Sequence, residues 1–526
     1  MRKNKFLTFI ALLAIIITVG SCKKNFVDLS KDPNKPVSVP AYLLLRQIEN
    51  DLVVFPGGDE DKFGQYTLSS YAYYGLNEYW RGSANLNYGS LNNVIAMEKE
   101  AAKTSGNNNP YSALAKFFKA YIFVGMSLKV GDLPMSESLK GLDNRTPKYD
   151  TQKDIFKQSL QLLEDANTQL TGLISSANSS ILGDFYFNER LSNSKDPITT
   201  LKQWQMVVNT YKLRVLIELS KKDTDTDLNI KQKFADVLSN PIKYPIMGAL
   251  SDNLEYVYNA AYNQYPNNKN NYGNDALRLC VAATWLNTLS GLKDLRAMKV
   301  ADPARGLGFS DTSYNSFVGG SNGTGMSDLG GLTVALKLST IGRKRYYDGY
   351  TAENTFLVGY PEMCLNIAEA INRGWVTGDA NTWYQKGIKA MFAFYGVNDG
   401  ANTVSFLRTL APGDYINYNI TFNYSDYFAQ PAVKYSNDKA TGLNQILTQR
   451  YLTLARNSGL EGYYQWRRTG VPTFSVGAGV GNSGVIPLRY QYPSAELSTN
   501  TINYKAAIQS QYAGNDNINA PMWIIK

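Results

Sequence analysis

The stretch Leu201–Ser220 constrains the fold more than any other. Trp204, Val207, Val208, Tyr211, Leu213, Val215, Leu216 and Leu219 put apolar side chains on more than one side of a helix. Such a helix must be enclosed, so the chain needs amphipathic helices around it. The sequence supplies them. One is expected from near Ala41 to about Val54, another over Asn92–Lys103, and a third over Tyr111–Lys129, where Leu114, Phe117, Phe118, Tyr121 and Val124 share a face. Thr151 and Asp154 have the spacing of a capping box. They open a helix to about Leu170 with Phe156, Leu160, Leu163 and Leu170 on one side. Pro361–Arg373 and Asp379–Tyr395 read as a helical hairpin, with Pro361 at a first helical position and Gly374 and Gly396 as stops. The expected class is mainly α, built of tetratricopeptide-like helical hairpins with long irregular loops and few short strands. A chain of 526 residues would by length suggest about three domains, yet no linker divides it. Residues 41–526 are therefore expected to form a single helical domain.

The N-terminus carries an export signal. Arg2, Lys3 and Lys5 precede the uncharged, mostly apolar run Phe6–Gly20, which is short for a bilayer span and suits a signal-peptide core. Val19-Gly20-Ser21-Cys22 is similar to a bacterial lipobox, which implies a signal peptide over residues 1–21 and lipidation at Cys22. Residues 22–40, polar and rich in proline, then form a lipidated tether. Several acyl chains together give stable anchoring. Cys280 and Cys364 sit in apolar surroundings without metal-ligand spacing and are expected as buried free thiols.

Composition removes several chemistries. With no histidine, His-dependent nucleophilic catalysis, His general bases and ordinary His-containing zinc sites are excluded. Carboxylate chemistry such as glycoside hydrolysis is not, although no motif nominates a pair of acids. Asp223, Asp225 and Asp227 begin like a calcium loop, but Leu228 replaces the expected glycine and Phe234 the bidentate glutamate. They read as a solvated helix exit, so no metal or cofactor is expected. The formal charge of +9 includes three leader cations and is otherwise scattered, which argues against nucleic acid.

The 37 tyrosines and 7 tryptophans suit polar ligands with apolar faces, sugars above all. They concentrate in Phe63–Tyr88, where Tyr66, Tyr71, Tyr73, Tyr74, Tyr79, Trp80 and Tyr88 interleave with Asn77, Glu78, Arg81, Asn85 and Asn87. Two readings are open, a sugar-binding platform or aromatic packing against the helical body. The candidate ligand contacts are Tyr73, Tyr74, Asn77, Tyr79, Trp80 and Arg81. The glycine-rich segment Ser310–Gly331 is expected as a long flexible loop and adds Tyr314 and Asn322.

Near the C-terminus, Ile446–Pro472 reads as a helix followed by a short aromatic segment and the pair Arg467-Arg468. These guanidiniums need acceptors; Glu461 is the nearest carboxylate in sequence. The order E-G-x-x-x-W-R-R-T-G-x-P from Glu461, then I-P-x-R-x-x-Y-P-x-x-E-x-x-x-N from Ile486, resembles the C-terminal block of the SusD/RagB family. Further parts of the resemblance are Asp32-Pro33-Asn34, the Gly131-Asp132-Pro134-Glu137 loop, Trp204 with Asn209 and Lys212-Leu213-Arg214, and Ala368-Glu369-Ala370 with Arg373-Gly374-Trp375. Met135 departs from the aromatic residue more usual in that family loop. The resemblance implies a lipid-anchored outer-membrane protein at the cell surface, without enzymatic activity. It would bind an oligosaccharide, or in some members a peptide, and hand it to a SusC-like TonB-dependent transporter. An exported α-helical glycoside hydrolase is the alternative.

Overall fold

The computed structural model describes residues 38–80, 82–177, 181–187, 196–275, 277–409 and 411–526. The leader, Cys22, most of the tether and Arg81 lie outside the described residues, as does the side chain of Tyr74.

Helices of nine residues or more are numbered here. They are α1 (Ala41–Asp51), α2 (Tyr88–Ser105), α3 (Pro110–Val130), α4 (Gln152–Ser175), α5 (Pro197–Glu218), α6 (Ile230–Ser239), α7 (Ala283–Gly291), α8 (Met326–Val334), α9 (Tyr360–Asn372), α10 (Ala380–Tyr395), α11 (Lys439–Thr453), α12 (Glu461–Thr469) and α13 (Thr501–Tyr512). Successive helices pack in pairs, α1 on α2, α2 on α3, α3 on α4, α4 on α5, and α9 on α10. This is the tetratricopeptide-like arrangement of hairpins. Local chemistry sets the starts. Thr151 accepts the Asp154 amide, Asp379 accepts from Asn381 and Thr382, and Asn109 with Ser112 forms a reciprocal capping box. Helix α5 is central as expected. It touches α3, α4, α6, α9 and α12, and nearly all of its side chains from Trp204 to Glu218 are buried.

The interior is unusually ionic. Glu362 on α9 accepts from Arg214 Nε of α5 at 2.9 Å and from Arg450 Nη2 of α11 at 2.8 Å. Arg450 is completed by Asn366 and Gln465. Arg468 donates to both oxygens of Glu369 and to Ser220, while Arg467 donates to the carbonyls of Leu128 and Leu488 and lies over Tyr464. The arginine pair thus finds acceptors on distant elements. Glu461, its sequence neighbour, instead faces Arg214 at 3.9 Å. Burial pushes the Glu369 carboxyl up, but Arg468, Arg373 and Arg450 overcome this and hold it at about 2. Glu461 shows the reverse balance: burial, with Glu218 and Glu362 adding repulsion, outweighs Arg214 and raises its pKa.

Strands are few. β1 (Thr67–Ser69) pairs antiparallel with β3 (Leu279–Val281), β2 (Leu254–Tyr256) with β4 (Thr355–Val358), and β5 (Gly400–Leu407) with β6 (Tyr415–Phe422). One hydrophobic cluster runs from Leu45 to Ile525, with a satellite of Leu68, Cys280, Ala282, Leu329 and Leu338 beneath the β1–β3 pair. Cys280 and Cys364 are free and buried. The aspartates after α5 face cations, Asp225 and Asp227 on Lys153 and Asp223 on Lys231.

The glycine-rich segment corrects an expectation. It packs as part of the body, with Gly320 bonded to Val281 and Ala283, and contains helix α8. A Cβ on Gly319 would stand 2.6 Å from the Ala282 backbone, and one on Gly323 would stand 2.1 Å from the Val476 carbonyl oxygen. Glycine serves close backbone approach here, not flexibility.

Candidate functional site

Most of the aromatic stretch turns inward. The Asn77 side chain accepts from the Ser69 amide at 2.8 Å and donates to the Ser69 carbonyl at 2.9 Å, like an added strand residue. Tyr79 is buried and donates its hydroxyl to the Phe63 carbonyl at 2.7 Å. Trp80 is 8% exposed, stacks on Tyr490 at 3.7 Å and meets Phe63 and Tyr463 edge-on. Its φ of +26°, rare for a bulky residue, is held by that packing. Asn322 is fully buried and donates to the Lys62 and Thr67 carbonyls; Tyr314 is half-buried against the core. Asn77, Tyr79, Trp80 and Asn322 are thus enclosed in the fold, while Tyr314 keeps part of its surface exposed. Tyr73 faces out at 83% exposure, and so does Tyr71 at 52%.

The β1–β3 pairing determines where Tyr71 sits. Past the paired strands, the Ser70 amide and hydroxyl both donate to the Arg278 carbonyl, at 2.9 and 3.2 Å. Tyr71 is therefore held beside Arg278, whose guanidinium lies 5.3 Å from the centre of its ring. Arg278 and Leu277 belong to the wall of a cavity of about 430 Å³. The segment Leu338–Arg343 forms a second wall, joined to β3 through Val281 to Ser339 and Ile341 to Leu279. The end of α8 contributes Thr333 and Val334, and the β5–β6 hairpin contributes Leu407, Arg408 and Thr409. Leucines 277, 336, 338 and 407 give the cavity an apolar lining.

Its charged groups are an aspartate and four arginines, beside three threonines. Asp302 Oδ2 accepts from the Arg343 amide at 3.0 Å and from Arg343 Nη1 at 3.1 Å. Its other oxygen, Oδ1, is buried with no hydrogen-bond partner among the described residues. Burial raises the Asp302 pKa, against the pull of Arg343. Arg305 forms a two-pronged pair with Asp311 and donates to the Arg408 carbonyl. An apolar lining, charged groups on the wall and the outward Tyr71 beside Arg278 form a pocket suited to a polar molecule with an apolar face.

The family description "Starch-binding associating with outer membrane", of the SusD-like type, matches residues 58–493. The chain belongs to the SusD-like family. Two SusD homologues from Bacteroides fragilis share its architecture, one at 26% identity and a TM-score of 0.77, the other at 28% and 0.74. In both comparisons 93% of this chain and all of the other is covered. A chitin-binding SusD homologue from Flavobacterium johnsoniae has the same fold at 19% identity and a TM-score of 0.66, covering 92% of this chain and 98% of its own. No curated protein matches. Among the described residues of this SusD-like chain, no helix is long and apolar enough to cross a membrane.

Arg278, Asp302 and Tyr71 were not singled out as ligand contacts by the sequence. A signal existed for Arg278: Leu277-Arg278-Leu279-Cys280-Val281 has the composition of a short strand with one charge on it. Asp302-Pro303 reads locally as a helix stop, which hides its place in the cavity wall.

Proposed function

We propose that this SusD-like protein binds an oligosaccharide in the cavity behind Tyr71 and Tyr73 and delivers it to a SusC-type TonB-dependent transporter. It would do so from the cell surface, anchored through lipid on Cys22 after removal of residues 1–21. The observation carrying the reading is the apolar-lined cavity of about 430 Å³ whose Arg278 wall lies beside the exposed ring of Tyr71. The leucines suit the C–H face of a pyranose, and the exposed Tyr71 ring offers a stacking surface beside them. The family description and the chitin-binding relative support a glycan over other nutrients. The role is capture without chemistry.

Calorimetric titration of the detergent-solubilised mature chain with glycans selected on an array tests this. Binding is expected, with the Tyr71→Ala/Tyr73→Ala double variant weakened roughly tenfold through loss of ring contacts. The bound glycan should be recovered uncleaved. Absence of binding to any glycan, or release of shortened products, contradicts the proposal.

A further inference from the structure

The cavity wall carries more positive charge than its own acids neutralise. Arg343 is paired with Asp302, Arg305 with Asp311, and Arg408 with Asp414 at 3.5 Å. Arg278, the fourth arginine, has no carboxylate within ion-pair distance among the described residues. Among the described residues its guanidinium has no hydrogen bond and lies over the face of Tyr71. It is half-buried, its backbone is pinned by Ser70, and its head lies over the exposed ring of Tyr71 in the cavity wall. A guanidinium offers a planar fork of donors matched to a planar anion, and its pull strengthens where the walls are apolar.

We propose that the ligand of this cavity is an acidic sugar whose anionic group seats on Arg278, with its ring against the leucines. The shared chemistry is an anion on a pyranose, either a uronate carboxylate or a sulfate ester. The inference rests on the glycan-binding reading above and adds the class of glycan. It also accounts for an arrangement that a neutral ligand would leave without use: a fixed cation, stacked on a tyrosine, with no counter-charge.

The test is a glycan array probed with the detergent-solubilised mature chain, followed by titration of matched pairs. One pair is oligogalacturonate and its methyl ester; the other is a chondroitin sulfate oligosaccharide and its chemically desulfated form. Acidic members are expected to bind, and esterification or desulfation to weaken them roughly tenfold or more. The pair that shows the difference identifies carboxylate or sulfate. Arg278→Gln should bring the acidic glycan down to the level of its neutral counterpart, and Arg278→Lys, which keeps charge but loses the fork, should fall between. Equal binding of acidic and neutral members, or unchanged acidic binding by Arg278→Gln, overturns the assignment while leaving glycan capture in place. Binding of nothing on the array overturns both.

Discussion

Two groups of arginines in this protein do opposite things. In the helical interior, Arg214, Arg450 and Arg468 each meet Glu362 or Glu369, and glutamine, asparagine or serine completes two of the three. In the cavity wall three arginines are paired, while Arg278 lies over Tyr71 with no carboxylate partner among the described residues. A buried charge without a partner costs several kcal/mol, so interior arginines need near-complete satisfaction. At an opening, water can solvate the surplus charge until a ligand replaces it. Hydrogen-bond acceptors, a carboxylate for Arg214, Arg450 and Arg468 and two carbonyls for Arg467, thus distinguish a guanidinium that holds elements together from one positioned to receive something.

The largest effect should come from breaking the interior set. Glu362→Ala strands two buried guanidiniums and is expected to lose about 5 kcal/mol in urea unfolding. A loss below about 1 kcal/mol would mean that water reaches this network. Next is Trp80→Ala, which empties a pocket formed by Phe63, Tyr463 and Tyr490 and should cost about 3 to 5 kcal/mol. Ligand affinity of the folded fraction should be unaffected, since the indole lies within the core. A selective loss of affinity would restore Trp80 as a contact.

The pH dependence separates two interior acids. The Glu369 pKa is lowered from 4.5 to about 2, so its stabilisation is present above the unfolded value and is lost as pH falls through the folded one. That corresponds to about 3 kcal/mol disappearing between roughly pH 5 and pH 2. Glu369→Gln should flatten this limb in acid-titration unfolding. Glu461 has the opposite sign. Its raised pKa favours the protonated fold, a contribution full below the unfolded value and lost as pH rises through the folded one. Glu461→Gln should therefore gain on wild type at pH 8 relative to pH 5, and an unchanged difference would contradict the assignment. The smallest effect belongs to Arg408→Ala. Its pair with Asp414 is exposed, 63% on the arginine side, so less than about 1 kcal/mol is at stake and salt should reduce it.

The helices were legible because their apolar faces repeat locally. Tyr111–Lys129 was expected and Pro110–Val130 observed; Thr151 was read as a cap and is one. The site was less legible for a physical reason. Tyr71, Tyr73, Tyr79 and Trp80 lie in an irregular segment with no period, so nothing local tells inward from outward. The direction is decided by Tyr463 and Tyr490, some four hundred residues later. Arg278 reaches Tyr71 only through the β1–β3 register, and Asp302 joins the wall through Arg343. The partners of Arg467 and Arg468 were likewise non-local, which is why the nearest glutamate in sequence was the wrong one.

The most direct test of the contrast is urea unfolding of Arg278→Gln beside Arg450→Gln. If bonded acceptors mark the structural arginines, Arg278→Gln should lie within about 0.5 kcal/mol of wild type, whereas Arg450→Gln, which removes one of the two guanidiniums on Glu362 and the donor to Gln465, should lose about 3 kcal/mol or more. Equal losses in the two variants would mean that Arg278 also holds the fold, and the division between the two groups would fail.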